Sequence, residues 1–136
     1  MEKIRNYYKG PTFEKVSETV TDNLINGDFD IVRRLVIIDV GKDKKQLLRG
    51  AVLGKETKTG KYKLSKTAAT DGTQVPTCIL ADDITDSEES VEQQVYLTGE
   101  FNSRELVLGT GHTLDSIDDA LLNRSIFISH STAIRG

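Results

Sequence analysis

The sequence predicts a small, mainly β (α+β) domain with short C-terminal helices, preceded by an N-terminal arm. Three observations carry this. From residue 33 onward, apolar residues alternate with polar ones or run in short β-branched blocks, which is the period of strands. Turn dipeptides such as Thr59-Gly60 and Asp71-Gly72 separate those blocks. Residues 1–30 lack the pattern and mix single apolar residues with charges and turn formers. The chain of 136 residues suits one domain at 31–136 with an arm at 1–30, the arm partly disordered when the protein is alone.

Within the arm, Lys9-Gly10-Pro11 breaks any helix and Asn26-Gly27-Asp28 marks a turn. Between them Phe13, Val16, Val20 and Leu24 sit at helical spacing, which allows a short helix from Thr12 to Asn23. "RRLVIIDV" opens the domain, and its near-continuous apolar content predicts a strand buried on both faces. "KDKK" turns the chain into "LLRGAVLGKET" and "KYKLS", a hairpin about Thr59-Gly60 in which Gly60 supplies a positive φ. "TAATDGTQVP" is a loop with Asp71-Gly72 as its turn and Pro76 confining the chain. "TCILADDI" is a strand, "TDSEES" a solvated loop, and "VEQQVYLTGEF" a strand with Val95 and Leu97 on one face and Tyr96 on the other. "NSRE" reads as a capping box, with Asn102 as N-cap and Glu105 reaching back. "HTLDSIDDALLNR" is a helix with Leu114, Ile117 and Leu121 on one side, Asp115, Asp118 and Asp119 early and Arg124 late. "SIFIS" is a terminal strand.

Composition narrows the function. Eighteen basic against 21 acidic residues give a net charge of −3, so the positive field that draws nucleic acid is missing. Four Tyr, four Phe and no Trp make a base-stacking platform unexpected. The best apolar run, Leu35 to Val40, is broken by Asp39 and falls far short of the roughly 20 residues of a membrane span. "MEKIRNYYKG" has no apolar stretch of the kind a signal peptide carries. Cys78 is the single cysteine; it excludes an internal disulfide framework, and its setting in "TCILA" makes it a small buried hydrophobe.

Candidate chemistry is thin. "GKETKTGKY" has five residues between its glycines and Tyr62 where a P-loop needs a hydroxyl, and a strand follows instead of a helix. Asp82, Asp83, Asp86, Glu88 and Glu89 lack the alternation and central glycine of a calcium loop, and read as a solvated loop. His112 and His130 have no Cys or His at ligand spacing, His112 falling before the helix and His130 in the tail. No nucleophile elbow occurs, and "NRS" at 123–125 is a glycosylation match without a secretory route. No catalytic residue, metal site or cofactor is expected.

In order along the chain, "RG-x-VLGK" at 49–55, "TGKY" at 59–62, "DG-x-Q" at 71–74 with "IL" at 79–80, and "GEFN" at 99–102 resemble the bacteriophage lambda head decoration protein family over residues 33–128. The resemblance implies a β-barrel-like or β-tulip domain without enzymatic activity. It also implies a homotrimer that sits at three-fold positions outside an expanded phage head, binds the major capsid protein, and cements the coat against DNA pressure. The protein would be made in the host cytoplasm, with no direct nucleic-acid or membrane partner. The arm is implied to reach the coat and add to its sheet. Lys3, Arg5, Tyr7, Tyr8, Pro11, Phe13 and Val16 are then the contact candidates, the apolar ones because an idle solvated tail has little reason to keep them. A fully extended 30-residue arm spans at most about 100 Å, and three arms on one trimer bind with avidity. A different class of function, a small β-barrel module binding a carbohydrate or other ligand within a larger assembly, is the competing expectation, and a hydrolase using the acidic loop a third.

Overall fold

The computed structural model describes residues 23–41, 46–85 and 89–129. Its strands are β1 (Val32–Asp39), β2 (Val52–Lys55), β3 (Tyr62–Leu64), β4 (Pro76–Leu80), β5 (Ser90–Asn102) and β6 (Ile126–Ser129). A 3₁₀ turn at Ser103–Glu105 and one helix, α1 (Leu114–Leu122), lie between β5 and β6. The sheet order is β1-β3-β2-β4-β5-β6, and β1 also pairs with β5. Five strands therefore close into a barrel, which removes its open edges. The longest seam is the antiparallel β1–β5 ladder, from Val32 opposite Thr98 to Asp39 opposite Ser90.

β5 belongs to two structures. Up to Thr98 it is barrel wall; from Gly99 to Asn102 it pairs in parallel with β6. Gly99 stands at the change, with φ at 146°. A Cβ there would lie 2.6 Å from Ile31 Cδ1, so the strand turns out of the barrel where only glycine fits.

Alternation along the strands fills two cores. Leu53, Cys78, Leu80 and Val95 point into the barrel and pack with Ile38. Their neighbours Val52, Ile79 and Tyr96 point outward and pack under Leu24, Phe101, Ile117, Leu121 and Ile126. The helix face predicted by Ile117 and Leu121 is the one that covers this wall, and both are fully buried. Each such side chain contributes about 1.5–3 kcal/mol relative to exposure. The predicted faces of β5 hold as well, with Val95 and Leu97 on the interior cluster and Tyr96 on the outer one.

β1 departs from expectation. Its apolar run predicted burial on both faces, yet Ile38 is its one fully buried residue, and Val32, Leu35 and Ile37 are 48%, 53% and 40% exposed. The cause is architectural. Only the Val36–Ile38 side faces the barrel interior, and the α1–β6 layer does not extend over β1.

The β2–β3 hairpin forms as the sequence predicted. Gly60 has φ at 77°, its N–H donates to the Glu56 carbonyl at 2.9 Å, and Lys55 registers with Tyr62. The capping box expected at Asn102–Glu105 is only half made, with the Asn102 side chain accepting from the Arg104 N–H. A complete box forms at the start of α1, where Thr113 and Ser116 each cap the other's backbone.

Candidate functional site

The contact candidates Lys3, Arg5, Tyr7, Tyr8, Pro11, Phe13 and Val16 lie outside the described residues, as do all but the last residue of the proposed Thr12–Asn23 helix, the "KDKK" turn, Asp86, Glu88 and His130. What the structure describes is the root of the N-terminal segment, and it is firmly held. Leu24 is 1% exposed in the outer core. Its carbonyl accepts from the Asn102 N–H, and the Asn26 N–H donates to the Glu100 carbonyl, both at 2.8 Å, so the chain runs antiparallel to the end of β5. Asn26 Nδ2 donates to Ser129 Oγ at 2.9 Å, Thr98 Oγ1 donates to the Asp30 carbonyl at 2.8 Å, and Phe29 meets Phe127 edge-on at 4.9 Å. The expected arm boundary at residue 30 thus falls within a stretch packed onto the domain.

The short motifs prove to be scaffold. Arg49 donates from Nη1 to the Ala81 carbonyl at 2.6 Å and to Tyr96 Oη at 2.7 Å, while its backbone N–H donates to Asp83 Oδ1 at 2.6 Å. One side chain thereby ties the β2 approach to the β4–β5 wall. In "DG-x-Q", Asp71 Oδ1 accepts from the Thr73 N–H and hydroxyl, and the Gly72 N–H donates to Gln74 Oε1. The Thr73 hydroxyl, then its N–H, and then Lys63 hold the Asp71 carboxyl down at about 2 despite some opposing desolvation. In "GEFN", Gly99 makes the bend, Phe101 is fully buried and Asn102 caps the 3₁₀ turn. None of these groups is left to act on a ligand.

The chemically reactive groups are likewise occupied. Burial pushes the Cys78 thiol up to about 12, so it stays protonated and inert. His112 bridges two serines, with Nε2 3.0 Å from Ser65 Oγ and Nδ1 2.9 Å from Ser116 Oγ. Ser116 Oγ already donates to the Thr113 carbonyl, so the pattern assigns the ring proton to Nδ1 and makes Nε2 the acceptor for the Ser65 hydroxyl. A hydroxyl–imidazole pair is the start of a hydrolase site, but Ser65 is fully buried and the ring is oriented by a hydroxyl in place of a carboxylate. The pair staples the end of β3 to the start of α1. Among the described residues no group of three His, Cys, Asp or Glu is placed to hold a metal, and no helix is long and apolar enough to cross a membrane.

A cleft of about 310 Å³ opens beside Asp39, Leu47, Lys63, Asp71 and Glu89. In its lining Lys63 Nζ lies 3.1 Å from Asp71, and the same Nζ lies 3.6 Å from Glu56 outside the cleft. The surface offers more than the clefts do. Leu35 and Ile37 stand bare on the barrel wall, and Ile25, Phe29 and Leu122 are exposed elsewhere.

A model of the family described as bacteriophage lambda head decoration protein D matches residues 18–126. No curated protein matches the chain significantly.

Proposed function

The chain belongs to the bacteriophage lambda head decoration protein D family, a family of structural proteins of the phage head, and we propose that it cements an expanded head as a trimer seated at three-fold positions on the capsid exterior. The carrying observation is the family match over residues 18–126, which takes in the held root of the N-terminal segment together with the whole barrel and α1. The scaffolding roles of Arg49, Asp71, Gly72, Gly99, Phe101 and Asn102 support it: a cementing protein needs a rigid body and a contact surface, and no reacting group.

In this reading the N-terminal segment contacts the major capsid protein, and Lys3, Arg5, Tyr7, Tyr8, Pro11, Phe13 and Val16 make that contact by adding backbone to a sheet edge and burying apolar side chains. The root at Leu24 and Asn26 supports it mechanically, because load on the segment passes directly into the end of β5 through backbone hydrogen bonds. The protein is then made in the host cytoplasm and resides on the virion. The test is to add the purified chain to expanded heads assembled without it and to follow their heat-induced rupture. The reading expects rupture at a higher temperature, saturating with added protein; unchanged rupture with no bound protein would refute it.

A further inference from the structure

Asn26 is one of five asparagines in the chain and the only one followed by glycine. That pair is chemically distinctive. With no side chain on the second residue, its backbone nitrogen can approach the asparagine Cγ closely enough to attack it. Gly27 lies exposed in the bend that follows the held root, with φ at 136°, and a Cβ there would meet the Glu100 carboxylate. Among the described residues the Gly27 N–H donates to no acceptor. Asp71-Gly72 makes the contrast. There the Gly72 N–H is held by Gln74 Oε1 at 2.8 Å, and the Asp71 carboxyl by Thr73 and Lys63. Asn26 is also an anchor: its N–H donates to the Glu100 carbonyl and its Nδ2 to Ser129 Oγ.

We propose that Asn26-Gly27 is a site of spontaneous deamidation whose product loosens the root of the N-terminal segment. The Gly27 nitrogen gives up its proton to solvent and forms a bond to Asn26 Cγ. The Cγ–Nδ2 bond breaks, Nδ2 leaves as ammonia with a proton regained from solvent, and a cyclic succinimide remains. Water then opens the ring at either carbonyl, and nothing is oxidised or reduced. One opening leaves aspartate at position 26. The other leaves isoaspartate, whose main chain runs through the side-chain carbon. Either product takes from Ser129 its donor and puts a carboxylate on the turn that already seats Glu100. Isoaspartate also lengthens the chain between the Asn26 bond to Glu100 and the Asp30 bond to Thr98. Because Nδ2 must part from Ser129 Oγ for the ring to close, that hydrogen bond is the brake on the reaction.

The experiment ages the full-length chain in mildly alkaline buffer, which favours loss of the Gly27 proton, and follows its intact mass, with peptide mapping to place any change. The parent should gain about 1 Da at residue 26 as the amide becomes a carboxylate, ahead of any gain at Asn23, Asn102 or Asn123. Asn26→Gln, whose longer side chain would have to close a larger ring, should lose the gain, and Ser129→Ala should hasten it. The parent's own mass decides the matter even where a variant fails to fold. Hydrogen exchange reads the consequence. The Asn102 N–H, which donates to the Leu24 carbonyl, should exchange faster in the aged chain and in Asn26→Asp than in the fresh parent. No gain at residue 26, a gain spread equally over the other asparagines, or a gain that leaves Asn102 as protected as before overturns the proposal. All these readouts use the free chain, so their outcome is separate from whether it binds heads.

Discussion

The barrel wall is apolar on its outside in two places, and the described residues cover only one. Over β4 and the later part of β5, Ile79 and Tyr96 lie beneath Leu24, Phe101, Ile117 and Leu121, all nearly inaccessible. Over β1, Leu35 and Ile37 have the same chemistry, are covered by none of the described residues, and remain 53% and 40% exposed. The first patch is stabilisation taken within the chain. The second is exposed apolar surface that contributes little to folding. The same residue types thus serve stability in one region and stay in solvent in the other, and substitutions should separate the two.

The largest effect belongs to the covered side. Phe101→Ala should cost about 3–5 kcal/mol, because the void would sit between the Tyr96 ring at 5.4 Å and the α1 side chains; chemical denaturation measures it. Next is His112→Ala, which strands the buried Ser65 hydroxyl and should cost about 1–3 kcal/mol in the same assay. An unchanged midpoint would show that Ser65 finds another partner. Gly60→Val should cost about 1 kcal/mol or more. A Cβ has room there, its nearest neighbour being Lys55 Cε at 3.9 Å, so the cost reports the positive φ alone.

Asp71 gives a pH-dependent effect of smaller reach. Its folded pKa of about 2 lies below its ordinary value of 3.8, so the stability it contributes is fully present above the ordinary value and is lost as pH falls towards 2. Asp71→Asn should therefore lose stability relative to the parent at neutral pH, with the difference shrinking across that acid window in thermal melts. The smallest effect on stability belongs to the bare side: Leu35→Ser should stay within about 0.5 kcal/mol of the parent in the same denaturation assay. A large destabilisation at Leu35 would break the contrast between the two patches.

Much of the fold was legible because its signals are local. The Val95–Tyr96–Leu97 alternation, the Thr59-Gly60 turn and the Ile117–Leu121 helix face each follow from a few neighbouring residues. What was missed depends on residues far apart. The Arg49–Tyr96 and Ser65–His112 bonds each join positions 47 apart, and no short spacing announces them. Leu24 looked like part of an arm because its partners, Phe101 and the end of β5, are remote in sequence. The misreading of "RRLVIIDV" is the most instructive. A continuous apolar run says that a strand prefers to be buried, and cannot say whether its own chain or another will bury it. The arm contact candidates rest on composition alone and lie outside the described residues, while the glycine-rich hairpin resolves into scaffold.

The central claim is that this protein binds a phage head through its N-terminal segment while its barrel stands as the body. Co-sedimentation with expanded heads tests it most directly, comparing the full-length chain with one lacking residues 1–22, a cut that leaves Leu24 and Asn26 in place, with both chains melted in parallel. The account predicts that the full-length chain pellets with heads and that the shortened chain melts cooperatively and stays in the supernatant. A folded shortened chain that pellets as well as the parent would contradict it.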